Sequence, residues 1–225
     1  MKTLIFDSGP LINFSMNGFL EVLERLKQTF EGKFLITASV KYEVIDRPIK
    51  VQRFELGALR VQQLLNRKVL ELPDSINIDN QELQHLTKQL FEQANHTLKV
   101  HDAWVNIVSE AEMSCLALST LLGKRGTETI IAIDERTTRI LCEDPRMLEQ
   151  LVSDRLHQRA QIAAADLNEF KDYRFIRSSE LVYVAYKKGV LGLEGKQALE
   201  AALYATKTKG TAISYEEIDV LKKLQ

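Results

Sequence analysis

The sequence predicts an α/β fold, an open parallel β-sheet with helices on both faces. Short apolar runs alternate with segments of helical period along the 225-residue chain, the pattern of strand–helix–strand units. Two of the runs, Leu4-Ile5-Phe6-Asp7 and Ile130-Ile131-Ala132-Ile133-Asp134, lead straight into a carboxylate. The ligand crevice of such a sheet lies outside the carboxyl ends of its strands. No linker rich in Pro, Gly or Ser divides the chain, and no internal repeat stands out.

Thr3 to Phe6 forms the first strand, and Pro10 suits the first turn of the next helix. Phe19, Val22, Leu23 and Leu26 keep helical spacing behind a Ser15 cap. Phe34 to Ile36 is a second strand; Thr37 or Ser39 caps a helix that carries Glu43 and stops near Pro48. Val51, Phe54, Ala58, Val61 and Leu65 mark one helical face, and Val69 to Leu72 is a third strand closed by Pro73. Asp79 and Glu82 are a capping pair for a helix that turns Leu83, Leu86, Leu90 and Ala94 inward. Trp104 to Val108 reads as extended, and a helix from Glu110 to Leu122 ends at Gly123, a natural C′ residue. Ile130 to Ile133 is a fourth strand, two helical patterns occupy about 145–170, and Tyr173 to Ile176 is a fifth strand. Helices near 179–188, 194–206 and 215–224 close the chain.

A hydrophobic share of 45% and a charged share of 27% are those of a soluble globular protein. No apolar run approaches the roughly 20 residues that cross a bilayer. The first residues enter a strand at once, without a secretory h-region, so a cytoplasmic location is expected. Cys115 and Cys142 sit in apolar helical contexts and do not suggest a disulfide. A net charge of −1 argues against bulk attraction to nucleic acid and leaves room for a local basic face. Arg136, Arg139, Arg146, Arg155, Arg159, Lys171, Arg174 and Arg177 gather after the fourth strand.

The candidate chemistry lies in carboxylates. Hard divalent ions such as Mg²⁺ and Mn²⁺ take oxygen ligands, so converging acids are the usual requirement. If the first and fourth strands are neighbours, Asp7 and Asp134 face each other across the crevice; otherwise each simply caps the helix after it. Ser109-x-x-Glu112 is a capping box, which needs no metal yet points Glu112 at the helix start. Glu110 in the same turn favours the helix dipole. Glu43, read alone, is an exposed helix position paired with Lys41 or Arg47. His85, His96, His101 and His157 lack zinc spacing, and Gly123-Lys124-Arg125-Gly126-Thr127 lacks that of a P-loop. Phe6-Asp7-Ser8-Gly9 loosely resembles the start of haloacid-dehalogenase-type phosphatases, but Gly9 stands where their second aspartate belongs.

Together the acidic strings resemble a PIN domain, the nuclease family that includes VapC-type toxins. Leu4 to Ile12 is similar to the family's first strand and aspartate, and Thr37 to Val44 to the segment with the second acid. Ser109 to Leu118 resembles the glutamate-rich helix start of one branch, Ile130 to Arg136 the last acidic site, and Ser178 to Leu191 that branch's closing helix. Ser114 stands where the branch often carries another acid. The resemblance implies strand order 3-2-1-4-5 in a PIN-like domain over 1–193, with a helical insertion at about 143–172 and a C-terminal helical extension over 194–225.

It also implies a metal-dependent endoribonuclease that uses one or two Mg²⁺ or Mn²⁺ ions to activate water against an RNA phosphodiester. Asp7, Glu112 and Asp134 are then the expected metal ligands, and Glu43 binds through water or orients the nucleophile. Ser8 positions Asp7, while Glu110 and Glu135 are secondary. The partners so implied are RNA, an antitoxin or other protein, and a second copy of the chain in a homodimer, with no membrane. The alternative is a catalytically silent PIN-like module that binds RNA or protein, which the near-neutral charge and the added helices favour.

Overall fold

The computed structural model describes residues 2–163 and 167–224. β1 (Lys2–Phe6) is apolar and buried from Thr3 onward. It feeds α1 (Ser8–Met16) and α2 (Leu20–Thr29), which buries Leu20, Val22, Leu23 and Leu26 on one face. β2 (Gly32–Leu35) leads to α3 (Ala38–Lys41), capped by Thr37 and continued by a π turn over Tyr42–Asp46 that carries Glu43. Next come α4 (Gln52–Asn66), α5 (Asn80–Asn95), β3 (Leu98–Val100), β4 (Ala103–Trp104) and α6 (Glu110–Lys124). The remaining elements are β5 (Glu128–Ala132), α7 (Arg136–Glu143), α8 (Leu148–Leu156), β6 (Ala160–Ile162), β7 (Phe175–Ile176), α9 (Ser178–Lys187), α10 (Lys196–Thr208) and α11 (Tyr215–Lys223).

The central sheet is parallel, in the order β2-β1-β5-β7. Pairing of Phe6 with Ala132 sets the carboxyl ends of β1 and β5 side by side. α6 packs against both of these strands and against α5, and it is buried nearly all round, from Ala111 and Met113 to Leu121 and Leu122. A helix that is apolar on every side belongs in a core. Its first turn, with exposed Glu110 and half-buried Glu112, is therefore held firmly at the same edge as Asp7.

The expected order 3-2-1-4-5 is corrected: the sheet has four strands, and Val69 to Leu72 is not one of them. The amides of Val69 and Leu70 turn back to Leu64 O at the end of α4 (2.9 and 3.2 Å), and Pro73 opens a short helical turn. Only Glu71 reaches the sheet, as an isolated parallel bridge to Leu35. β4 stops at Trp104, because the amides of Ile107 and Val108 donate to Asn95 Oδ1 (2.7 and 3.2 Å) instead of a neighbouring strand. The two helical patterns expected over about 145–170 reduce to α8, which ends where His157 turns left-handed (φ 52°). The chain then forms β6, which joins β3 and β4 in a small antiparallel sheet that the sequence reading lacked. The 164–166 part of that expectation lies outside the described residues. Ser15, expected as a cap, lies inside α1, whose end is marked by Gly18 at φ 74°.

The C-terminal helices return to the first one. Buried Asn13 on α1 donates to Thr206 O (2.8 Å) and to Thr211 Oγ1 (2.9 Å), so α10 and the residues after it are fastened next to Asp7's helix. Among the described residues no helix is long and apolar enough to cross a membrane.

Candidate functional site

The sheet edge collects the acids. Asp7 N donates to Ala132 O at 2.9 Å, directly ahead of Asp134. Asp7 caps α1 through Oδ2, which accepts from Gly9 N at 3.3 Å, while its buried Oδ1 has no hydrogen-bond partner. A Cβ on Gly9 would stand 3.4 Å from Asp134 Cβ and 3.5 Å from Asp7 Oδ2. Those are ordinary van der Waals distances, so Gly9 lies between the two aspartates and marks how closely they approach.

Asp134 is buried and fully engaged: Oδ1 accepts from Ser178 N (2.8 Å) and Oδ2 from Ser178 Oγ (2.6 Å). Glu112 closes the capping box on α6, with Oε2 accepting from Ser109 N (2.9 Å) and also from Thr138 Oγ1 (2.9 Å). Glu135 caps α7 by accepting from Thr138 N (2.8 Å) and Thr137 Oγ1 (2.7 Å). Glu43 is half-buried on its π turn. Glu110 is exposed, with Ser39 Oγ donating to it at 3.4 Å.

Burial pushes the Asp7 carboxyl up to about 7, against backbone bonds from Ser8 and Gly9, and the charges of Glu43 and Asp134 add to the rise. Burial likewise raises Glu112 to about 8, with the Asp7 charge next in importance and that of Glu135 contributing. Asp134 is raised by burial, while its bonds from Ser178 favour the charged form. The charges of Glu43 and Asp134 thus reach Asp7, and those of Asp7 and Glu135 reach Glu112. Ser8 serves Asp7 through its amide.

Among the described residues no three His, Cys, Asp or Glu side chains are arranged to hold a metal ion. The reason is local: Asp134 and Glu112 give their oxygens to helix amides and hydroxyls. The donor chemistry nonetheless fits a hard dication. Every candidate group is a carboxylate, the acids repel one another, and one buried oxygen, Asp7 Oδ1, is bare. Asp7, Glu112 and Asp134 are the residues that could hold the ion, once Ser178 and Thr138 release part of their hold.

Ser178, Thr138 and Gly9 are the site residues to which the sequence reading gave no role. Ser114, where the resembling family often has an acid, is buried and lies 2.6 Å from Thr37 Oγ1, linking the cap of α3 to α6. Four of the basic residues after the fourth strand are ion-paired. Arg174 pairs with Glu128, Arg146 with Asp144, Arg139 with Glu143, and Arg177 with Glu180 and Glu217. Comparison with protein-family models, with curated proteins and with solved structures finds no match to this chain.

Proposed function

We propose that the chain is a Mg²⁺- or Mn²⁺-dependent endoribonuclease of PIN type, with Asp7, Glu112 and Asp134 as metal ligands and Glu43 as an orienter of the attacking water. The observation that carries this reading is the buried, unbonded Oδ1 of Asp7, set among acids that raise one another's pKa at the carboxyl edge of a parallel sheet. A bound ion would activate water for in-line attack and offset charge on the leaving oxygen. The chain's own part is positional. Ser178 fixes the Asp134 carboxylate, the Gly9 amide donates to Asp7, and the Thr37–Ser114 contact holds the turn bearing Glu43 near the start of α6.

The test is cleavage of a mixed RNA panel with Mn²⁺ or Mg²⁺, wild type against the Asp7→Asn, Asp134→Asn double variant. Metal-dependent cutting that disappears in the variant is expected; equal cutting by both would remove the assignment. The second reading, a silent PIN-like module for RNA or protein, is favoured by the hydrogen bonds that already occupy Asp134 and Glu112. A folded wild type that cuts nothing with either ion would select it.

A further inference from the structure

Next to Asp134, α7, the entry to α9 and the 212–217 segment enclose a cavity of about 440 Å³. Its walls are tied to the acidic crevice: Ala212 N donates to Asp134 O (3.2 Å), and Ala212 O accepts from Arg177 Nη1 (2.9 Å). Arg136, Arg139 and Arg177 line it together with Glu143, Glu217 and Ser214. The three arginines are not equivalent. Arg177 is matched by Glu180 at 2.6 Å and Glu217 at 2.8 Å. Arg139 is less tightly matched: its buried Nε stands 3.5 Å from Glu143 Oε1 without a hydrogen bond, and its charge also reaches Glu217. Arg136 is exposed and makes no ion pair among the described residues.

Burying a guanidinium N–H without an acceptor is costly, and forked arginine donors match the oxygens of a phosphate. The cavity is of a size that admits a nucleotide-sized group. None of the candidate acids lines it; Ala212, whose amide donates to Asp134 O, is the link between its wall and the crevice. On the nuclease reading, we propose that this cavity holds a backbone phosphate of single-stranded RNA flanking the bond to be cut, with Arg139 as the inner contact and Arg136 as the outer one. Glu143 then swings away from Arg139 when the strand enters. Arg177 keeps its two glutamates and serves as wall. None of the three arginines is an expected metal ligand, so the contact persists without the ion.

The experiment is fluorescence anisotropy of a labelled single-stranded oligoribonucleotide on the full chain, in EDTA, across a range of chloride concentrations, with orthophosphate as competitor at matched ionic strength. Arg139→Gln is expected to weaken binding roughly tenfold and to lower the slope of log K against log salt by about 0.7, the share of one single-strand phosphate contact. Arg136→Gln gives a smaller loss with the same change of slope. Lys124→Gln, exposed at the far end of α6, leaves binding unchanged. Arg139→Lys retains charge without the fork and guards against a folding defect, since it restores the slope and recovers only part of the affinity.

Unaltered affinity and slope in both Arg139→Gln and Arg136→Gln would overturn the proposal. So would displacement of wild-type binding by orthophosphate with no difference between the arginine variants, which marks free phosphate at another place. Failure of the nuclease reading is distinguishable. Variant-sensitive binding in a protein that cuts nothing keeps the cavity and drops the nuclease, and normal cleavage with variant-insensitive binding does the reverse.

Discussion

At Glu112 one side chain has a structural duty and a proposed chemical one, and they can be separated. Its Oε2 closes the capping box of α6 and accepts from Thr138, while burial and the Asp7 charge raise its pKa to about 8. Glutamine serves a capping box as well as glutamate does but is a poor ligand for a hard dication. Glu112→Gln is therefore expected to stay within about 1 kcal/mol of wild-type stability in urea unfolding, while metal-dependent cleavage is lost. Glu112→Ala loses both, with a further stability cost of about 1 kcal/mol. Wild-type cleavage by Glu112→Gln would leave this residue as a cap and nothing more. The capping box was legible in Ser109 and Glu112 because its partners are three residues apart. The Thr138 bond was not, because it joins residues 26 apart, at the starts of α6 and α7, that only the tertiary fold brings together.

At the level of elements, Asn13 ties the C-terminal helices to α1. Its amide donates to Thr206 O and Thr211 Oγ1 in a buried setting, so Asn13→Ala removes both bonds; Thr206 O keeps the amides of Lys209 and Thr211, while Thr211 Oγ1 loses this donor. The expected cost is about 2 kcal/mol, with faster amide exchange concentrated in α10 and in residues 209–214 rather than in β1 or β5. Exchange that rises evenly over the chain would show instead that this contact secures the whole core. Sequence pattern located the elements whose burial is periodic or continuous. β1, β5 and α6 are long enough for their apolar residues to declare a face or a fully buried run. It failed where hydrogen bonds, not burial, decide the outcome. Val69 to Leu72 has a strand's composition, yet two of its amides bond backwards to Leu64. β6 is three residues long, too short for any period, and pairs with β3 far earlier in the chain, whereas β7 lies within the strand expected from Tyr173 to Ile176.

For the molecule as a whole, the buried acids link stability to pH and to divalent ions. Asp7 rises from 3.8 to about 7 and Glu112 from 4.5 to about 8 on folding, and Asp134 shifts the same way through burial. From about pH 4 upward the unfolded chain has released these protons while the native state still binds them. Stability contributed by these groups is thus fully present below about pH 4 and is lost as pH rises through about 7 to 8. A cation that binds only the native crevice restores stability where the carboxylates are charged, and it competes with protons where they are not. The melting temperature of the metal-free protein should therefore fall between about pH 5 and about pH 8, and Mn²⁺ should recover it at the upper end but not the lower. Asparagine caps a helix as well as aspartate does, so Asp7→Asn keeps α1 while removing one buried charge. That variant should melt higher than wild type at about pH 8 without metal, by on the order of 1 to 4 kcal/mol in stability, and should gain little from Mn²⁺. A metal-free melting temperature that does not change over this range, or an equal Mn²⁺ response in Asp7→Asn, would mean that the ion binds elsewhere and that the crevice is held together without it.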